Sequence, residues 1–333
     1  MKKFVVLITT SGSVTAQCVI KALRNQTEYD VRIVTVDITD VTAGKYLGDA
    51  FYVLPNELDE EGYRDRLKEI IKEERVDIVV PIHDNELAVT AKYKGEIEKE
   101  TQARVFVSEF NVIQRCNDKG LTQKFFEELG IQTPRVFSSD ELVDTENLPY
   151  PLFMKPRNGV AAIDTHRIED SEDLKFYLRK VQDPIVAECV EGKEYSIDAY
   201  TNMQGEMVNA IPRQRVVISG GASTAGQVVK RLDMIETVKK MCEKLPILGP
   251  ANIQCFERDA KEGPLYFEVN PRFSAAHIFS IKSGMNSPLY MLREFDGKKV
   301  EPNIGEMEEI RAFRYWQEVF VDKEGKRLKN YPL

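Results

Sequence analysis

Strand-like and helix-like segments alternate over the first third of the chain, and this alternation limits the possible folds more than any other feature. An apolar run rich in β-branched residues spans 3–10 and is followed by a glycine-containing loop and a helical pattern. Short apolar strands separated by helices are typical of a parallel sheet with helices on both faces. We therefore expect an α/β fold that begins with a doubly wound parallel sheet. The further strand-like runs lie at 31–36, 51–54, 78–80 and 104–107.

The loop after the first strand permits a dinucleotide-binding interpretation. The dinucleotide fingerprint has three glycines, whereas this loop has only Gly12. Asp37, at the end of the second run, either binds a ribose hydroxyl or only caps a loop. Residues 83–86 follow the fourth run, where they either contact a ligand at the carboxyl edge of the sheet or form an ordinary helix N-terminus. An NAD(P)-dependent oxidoreductase is thus one alternative.

The composition predicts a soluble protein of two or three domains. The chain has 333 residues, of which 42% are hydrophobic and 30% charged, and domains average roughly 150 residues. No apolar run reaches the ~18 residues of a membrane span, and the first residues lack a signal-peptide cleavage pattern. We therefore expect a cytoplasmic protein without membrane contact. A net charge of −8 argues against a nucleic-acid partner, and five scattered cysteines with three histidines argue against a zinc site.

The clearest polar pattern in the second half is a strand that ends in Glu-Val-Asn-Pro-Arg. Because strand side chains alternate between faces, Glu268, Asn270 and Arg272 are expected on one face. Phe267 and Val269 are expected on the other face, which would pack against the core. The polar face therefore gathers a carboxylate, a carboxamide and a guanidinium.

A companion strand over residues 252–256 alternates in the same way. Its polar face carries Asn252 and Gln254, so pairing the two strands would place oxygen donors from both on one surface. Mg²⁺ takes oxygen ligands, keeps several waters and usually shares substrate phosphates. Gln254, Glu268 and Asn270 fit that pattern. The alternative is an ordinary half-exposed strand with a polar outer face.

Several polar motifs occur in a fixed order between residues 118 and 272. They are Asp118-Lys119, Lys155-Pro-Arg-x-Gly, Glu188 followed by Gly192-Lys193-Glu194, Gln254, and Glu268-x-Asn270-Pro271-Arg272. This ordered set resembles the ATP-grasp superfamily, above all the synthetase unit of the carbamoyl phosphate synthase large subunit and its stand-alone carboxylate–amine ligase relatives. The resemblance implies an N-terminal pre-ATP-grasp α/β domain followed by a two-part α+β ATP-grasp fold. The implied ranges are 1–112 for the first domain, 113–190 for a small subdomain and 191–333 for a large subdomain with the metal site.

The resemblance implies that the chain binds ATP with Mg²⁺ or Mn²⁺. Lys119 and Lys155 would bind ATP phosphates, since an ammonium group is a mobile point charge suited to a polyphosphate. A surface strand with solvated glutamates is the alternative for the segment that would contact the nucleoside. In the family pattern, the adenine contacts of this segment are Glu188, Cys189 and Val190, and its ribose contact is Glu194.

The resemblance also implies metal-binding and catalytic residues. Phosphoryl transfer depends mostly on positioning and electrostatic stabilisation, so no general base is required for this step. The implied metal ligands are Gln254, Glu268 and Asn270, and the implied catalytic cations are Arg272, Lys155 and Arg215.

Two features depart from the family pattern. The loop over residues 158–163 has one glycine and two alanines, where the family's loop is rich in glycine and serine, so its closure over phosphates is left open. No cysteine is paired with a histidine at a recognisable spacing, so ammonia from glutamine would need another subunit.

The implied reaction is ATP-dependent carboxylate–amine ligation. A substrate carboxylate would be phosphorylated to an acyl phosphate and joined to an amine, with release of ADP and phosphate. Phosphorylation of bicarbonate or carbamate is an alternative, as is a nucleotide-binding module without turnover. The expected partners are a small-molecule carboxylate and a small-molecule amine, and a homodimer is possible.

Two local patterns complete the predicted large subdomain. Residues 219–226 contain glycines and are predicted to form a loop that opens a helix ending near Lys244. The last twenty or so residues are predicted to form a strand pair, with one strand over 312–321 and a short return.

Overall fold

The computed structural model describes residues 1–159, 163–259 and 261–328. These residues form fourteen strands in three sheets, together with ten α-helices. Within the same ranges, no helix has the length and apolar character needed to cross a bilayer. The mixed α/β architecture predicted from the sequence is therefore confirmed.

The first sheet is parallel throughout and has the order β3-β2-β1-β4-β5. Helix α1 begins where the Ser13 hydroxyl accepts a hydrogen bond from the Ala16 amide at 3.1 Å, which is a typical N-cap. Strands β2 and β3 are added on one side of β1, and β4 and β5 are added on the other side. The carboxyl ends of β1 and β4 therefore flank the point where the strand order reverses, which is where open α/β sheets bind ligands. The elements are β1 Lys3–Ile8, α1 Val14–Asn25, β2 Asp30–Asp37, β3 Ala50–Val53, α2 Glu60–Glu74, β4 Ile78–Val80, α3 Asp84–Lys92, α4 Lys94–Thr101 and β5 Arg104–Val105.

The second sheet is small and antiparallel, with the order β7-β6-β8. It has its own apolar core, to which Leu152, Met154, Ile168 and Val186 contribute buried side chains. Two helices precede it and connect it to the N-terminal sheet. The elements are α5 Phe110–Asn117, α6 Lys119–Glu128, β6 Leu152–Pro156, β7 His166–Ile168, α7 Ser171–Tyr177 and β8 Pro184–Glu188.

The third sheet has six strands in the order β13-β12-β9-β10-β11-β14. One face is covered by α8, and the other shares a core with the N-terminal sheet. In that shared core, the Phe106 ring lies 6.4 Å from the Tyr200 ring and 6.5 Å from the Phe273 ring. The elements are β9 Lys193–Thr201, β10 Met207–Ser219, β11 Ala222–Val228, α8 Leu232–Lys244, β12 Gly249–Glu257, β13 Pro264–Asn270, α9 His277–Lys282, α10 Ser287–Phe295 and β14 Arg311–Phe313.

Two local predictions in this region are wrong. Most of the segment 219–226 is strand β11, because Gly220 and Gly221 have φ values of 55° and 74° and form a tight hairpin turn between β10 and β11. Helix α8 starts only at Leu232. Near the C-terminus, β14 pairs with β11, and only an isolated bridge joins Val321 to Arg327 among the described residues. The predicted domain ranges, with boundaries at 112/113 and 190/191, stay predictions.

Candidate functional site

A cleft of ≈ 570 Å³ lies between the small antiparallel sheet and the six-stranded sheet. Helix α6 forms one side and the β10–β11 hairpin forms another. The cleft brings together all the predicted site residues except Asn270. Its lining includes Lys119, Lys155, Glu188, Cys189, Val190, Glu194, Arg215, Gln254, Glu268 and Arg272.

Two aromatic rings line the cleft beside these polar groups. Phe256 and Phe267 are stacked, with ring centroids 4.8 Å apart and planes 19° apart. The prediction that Phe267 faces the core is wrong, because a β-bulge interrupts the pairing of β12 with β13. Gln254 pairs with Glu268, but the next pair is Cys255 with Tyr266, so Phe267 is an extra residue on β13. Tyr266 therefore enters the core, while Phe267 turns to the cleft.

Lys155 is a cation without an anionic partner in this cleft. In the described part of the chain its ammonium group has no hydrogen bond or ion pair, and it lies 5.5 Å from the centroid of the Phe267 ring. Burial lowers the pKa of Lys155 to about 8, although the charge of Glu268 acts in the opposite direction. A desolvated lysine of this kind fits an anionic ligand, which would stabilise its ammonium form.

Lys119 lies at the first residue of α6, on the same side of the cleft. Its Nζ donates to the Gly159 carbonyl at 2.5 Å, and burial lowers its pKa against the opposing charges of Glu268 and Asp84. The Lys119 amide also donates to the Arg157 carbonyl at 3.1 Å, which ties α6 to the end of β6. The predicted closing loop includes residues 160–162, which lie outside the described residues.

Glu194 and Arg215 form an ion pair at the edge of the cleft. Arg215 also donates from Nη2 to the Gly221 carbonyl at 2.6 Å and from Nε to the Ser223 hydroxyl at 3.3 Å. Burial raises the pKa of Glu194, and Arg215 counteracts that shift. The arginine therefore holds the tip of the β10–β11 hairpin beside the glutamate.

The segment that follows β8, at residues 189–190, has backbone amides that are available to the cleft. The carboxylate of Glu188 accepts from the Arg135 amide at 3.0 Å and pairs with Arg258, the residue after β12. Within residues 1–159, 163–259 and 261–328, the amides of Cys189 and Val190 have no hydrogen-bond partner. Donors of this kind at a cleft wall are suited to the edge of a flat heterocycle.

The predicted metal ligands lie on paired strands, as expected. Glu268 has no hydrogen bond or ion pair in the described ranges and lies opposite Gln254. Asn270 lies opposite Asn252 and is only 6% exposed; its Oδ1 accepts from Arg272 Nη2 at 3.2 Å, and its Nδ2 is buried without a partner. This oxygen donor set with one carboxylate fits Mg²⁺ or Mn²⁺ that shares phosphate oxygens. Among the described residues, no group of three His, Cys, Asp or Glu side chains could hold a metal by itself.

Arg272 makes a contact that the sequence did not indicate. Its Nε and Nη2 donate to the two carboxylate oxygens of Asp84 at 2.7 and 2.9 Å, and its Nη1 donates to the Phe273 carbonyl at 3.2 Å. Asp84 is the first residue of α3, at the carboxyl edge of the N-terminal sheet. The N-terminal sheet therefore touches the predicted metal site through this pair.

A buried polar network behind the predicted metal site was also missed. Asp198 is fully buried and accepts from Arg213, Ser280 and Asn252. The alternating pattern of β9 puts Asp198 on the same face as the cleft residues, which is the only signal in the sequence for it. Its partners come from three other elements of the chain.

Two family models match the chain. The first, described as "PylC-like, N-terminal domain", matches residues 6–105, and the second, described as "ATP-grasp in the biosynthetic pathway with Ter operon", matches residues 180–318. Residues 180–318 therefore match an ATP-grasp model, and they follow a region that matches a PylC-like N-terminal domain. The resemblance stated from the sequence motifs is confirmed.

Each curated relative matches this chain over only part of its length. A carbamoyl-phosphate synthase of Methanobrevibacter smithii is 27% identical over 203 residues, which cover 60% of this chain and 52% of the relative. A carbamoyl phosphate synthase large chain of Clostridium botulinum is 26% identical over 195 residues, which cover 53% of this chain and 18% of the relative. The chain thus spans about half of the first relative and less than a fifth of the second.

Solved structures share the fold. The biotin carboxylase domain dimer of Hydrogenobacter thermophilus 2-oxoglutarate carboxylase, in complex with MgADP, ADP and bicarbonate, has a TM-score of 0.74 at 14% identity and covers 91% of this chain and 72% of that chain. An L-amino acid ligase from Bacillus licheniformis has a TM-score of 0.66 at 19% identity and covers 91% and 78%. These similarities show that the chain shares the fold of these proteins.

Proposed function

We propose that this protein is an ATP- and Mg²⁺-dependent ligase that phosphorylates a substrate carboxylate and joins it to an amine. The observation that carries the proposal is one cleft in which two desolvated lysines, Lys119 and Lys155, lie near the carboxylate of Glu268, which has no partner among the described residues. Cations on one side and oxygen donors on the other are what a metal-bound polyphosphate needs. The similarity to ATP-grasp ligases supports the same function.

The nucleoside end of the cleft would be formed by β8 and the start of β9. The free amides of Cys189 and Val190 would contact the adenine edge together with the backbone of Glu188, and the stacked rings of Phe256 and Phe267 offer an apolar surface for the base. Glu194 would accept hydrogen bonds from the ribose hydroxyls. Its position beside Arg215 keeps the carboxylate near the hairpin.

The phosphate end would be held by the lysines and the predicted metal ligands. Lys119 and Lys155 would neutralise phosphate charge, and Gln254, Glu268 and Asn270 would hold Mg²⁺ or Mn²⁺ by their oxygens. When bound, the metal ion would supply electrostatic stabilisation of the transferring phosphoryl group.

The proposed reaction balances as two displacements. A substrate carboxylate oxygen bonds to the γ-phosphorus while the bond to the β–γ bridging oxygen breaks, which releases ADP. The amine nitrogen then bonds to the acyl carbon, loses a proton, and phosphate leaves. Arg272, Lys155 and Arg215 are proposed to stabilise the charge that spreads over the phosphoryl oxygens in the first step.

A second candidate is phosphorylation of bicarbonate or carbamate, because the curated relatives named above are carbamoyl phosphate synthases. This chain spans only part of their length, so their complete reaction is not carried over. A homodimer and a cytoplasmic location stay predictions, and light scattering in solution would test the first of them.

Positional isotope exchange is the most direct test of the proposed first step. ATP labelled with ¹⁸O in the β–γ bridge would be incubated with Mg²⁺ and single carboxylates, without any amine, and the bridge label should scramble only with a substrate that forms an acyl phosphate. Addition of amines should then release ADP in stoichiometric amounts with the amide. Glu268→Gln serves as the matched inactive control.

Three results would contradict the proposal. Absence of ATP–Mg²⁺ binding at millimolar concentrations would remove its basis. Thermal protection by NAD(P) and not by ATP would favour the oxidoreductase alternative. Nucleotide binding without phosphate release in any substrate mixture would favour a binding module without turnover.

A further inference from the structure

We propose that Asp198 and Asn252 are positioning residues that decide which end of the Gln254 amide faces the cleft. This inference rests on the proposed metal-binding role of Gln254. The three side chains form a continuous line of hydrogen bonds from the buried interior of the six-stranded sheet to the cleft wall. We call this line the amide relay.

The relay starts at the Asp198 carboxylate, both oxygens of which accept hydrogen bonds. Asp198 accepts from Nε and Nη2 of Arg213, both at 2.9 Å, and from the Ser280 hydroxyl at 2.6 Å. Burial alone would raise the pKa of Asp198, but Arg213 and His277 outweigh it and hold the pKa well below its usual range. An ionised carboxylate can only accept hydrogen bonds.

The second step fixes the orientation of the Asn252 amide. Because Asp198 only accepts, the nitrogen of Asn252 must face it, and Nδ2 does so at 2.9 Å from Asp198 Oδ1. The opposite orientation would place two acceptors against each other in a buried site. The oxygen of Asn252 is therefore directed away from Asp198 and remains available as an acceptor.

The third step fixes the orientation of Gln254. Asn252 Oδ1 accepts from Gln254 Nε2 at 3.2 Å, so the nitrogen end of the glutamine is turned towards Asn252. Its Oε1 has no partner in the described part of the chain and belongs to the end of the side chain that remains free. An amide binds a hard cation only through its oxygen, so an unfixed glutamine would present its NH₂ group for part of the time.

The relay matters because the predicted metal site has only one carboxylate. Glu268 supplies the charge. The neutral Gln254 and Asn270 contribute only amide dipoles, which attract a cation only when their oxygen atoms face it. Residues that orient metal ligands from behind typically change metal affinity by ~10–100-fold when replaced. Loss of the relay should therefore be measurable without any turnover.

The test is a double-mutant cycle on Mn²⁺ affinity. Full-length protein with one equivalent of ADP would be titrated with Mn²⁺, and the free ion would be followed by its EPR signal. We expect Asn252→Leu and Gln254→Ala each to weaken Mn²⁺ binding by about tenfold, and the double variant to bind no more weakly than Gln254→Ala alone, within about twofold. Asn252→Ala repeats the test if the leucine variant does not fold.

Ser280→Ala is the matched control, because Ser280 also donates to Asp198 but lies outside the relay. It should leave Mn²⁺ affinity unchanged even if it lowers the melting temperature. The relay is overturned if Gln254→Ala weakens Mn²⁺ binding but Asn252→Leu does not, or if Asn252→Leu weakens it equally when Gln254 is absent. If Gln254→Ala itself has no effect, the metal role in the proposed function fails, which is a different result.

Discussion

Asp84, at the start of α3, and Arg272, two residues after β13, are joined by two parallel hydrogen bonds of 2.7 and 2.9 Å. They are 188 positions apart in the sequence. The sequence motif predicts Arg272 as a phosphoryl contact, whereas the structure shows most of its donors engaged by Asp84, Asn270 and the Phe273 carbonyl. Two roles therefore need to be separated: stabilisation of the moving phosphoryl group and attachment of the N-terminal sheet.

Replacing each partner separately distinguishes these roles. If Arg272 stabilises the phosphoryl group, Arg272→Ala should lower kcat by about 10²-fold, near the loss of one preorganised donor, with little change in the ATP dissociation constant. Asp84→Ala removes the same ion pair but keeps the guanidinium, so its kcat should stay within about tenfold of the parent. Arg272→Lys should rescue poorly, since a point charge lacks the two-pronged geometry. Single-turnover rates and melting temperatures would be measured on the same preparations. Equal losses in both alanine variants would indicate an attachment role alone.

Glu268→Gln should abolish turnover while weakening nucleotide binding less. The substitution removes the only carboxylate among the predicted metal ligands, whereas the contacts proposed for adenine, ribose and the lysines remain. The Mg²⁺ concentration needed for half-maximal nucleotide binding should rise. Calorimetric titration of nucleotide at several Mg²⁺ concentrations measures this shift, and normal activity at saturating ATP would exclude the metal assignment.

Lys155→Ala should raise the ATP dissociation constant sharply. A charge-assisted hydrogen bond to phosphate contributes roughly 1.5–3 kcal/mol, which corresponds to about ten- to two-hundredfold in affinity. Lys124→Ala, at an α6 position outside the cleft lining, is the control and should bind ATP normally. An unchanged dissociation constant in Lys155→Ala would show that this lysine only packs against Phe267.

ATP binding should weaken as the pH rises above about 8, because the pKa of Lys155 in the unliganded protein lies at about 8. Below that pH the ammonium form is already present, so affinity should be flat. Above it, binding must take up a proton, and the dissociation constant should rise by up to about tenfold per pH unit. Lys155→Arg keeps its charge and should lose this dependence. An equally steep profile in the arginine variant would assign the titration to another group.

The lowered pKa also affects the unliganded fold. The ordinary lysine value is 10.5, so the unfolded chain binds a proton that the folded protein has released between pH 8 and 10.5. Burial of the charged Lys155 therefore lowers the free energy of unfolding below pH 8, and this penalty diminishes as the pH rises towards 10.5.

Arg213→Met should destabilise the protein strongly. The pair with Asp198 is almost fully buried, with side-chain exposures of 2% and 0%, and removal of one partner leaves an uncompensated charge that costs about 3–5 kcal/mol. The exposed pair of Lys299 and Glu301 provides the control, since Lys299→Met should not change the free energy of unfolding measurably. Urea denaturation of both variants provides the comparison.

The sequence predicted the parts of the site that depend on local periodicity. Gln254 and Glu268 lie opposite each other on paired strands because alternation and pairing are short-range properties. The Asp84–Arg272 pair could not be predicted, since nothing local records a partner so far along the chain. The hairpin at Gly220–Gly221 was missed although two adjacent glycines between apolar runs are a recognised turn signal.

The bulge at Phe267 allows β13 to lose one residue without turning its other side chains to the opposite face. Because Phe267 is the unpaired residue of β13, losing its codon would join Tyr266 directly to Glu268 in a regular strand. Tyr266 would still enter the core, and Glu268 and Asn270 would keep their orientation. At most other positions of the strand, a one-codon deletion would turn every later side chain to the opposite face. The aromatic ring under the proposed base site is therefore the one part of this strand that a lineage can gain or lose in a single genetic step without disturbing the residues beside it.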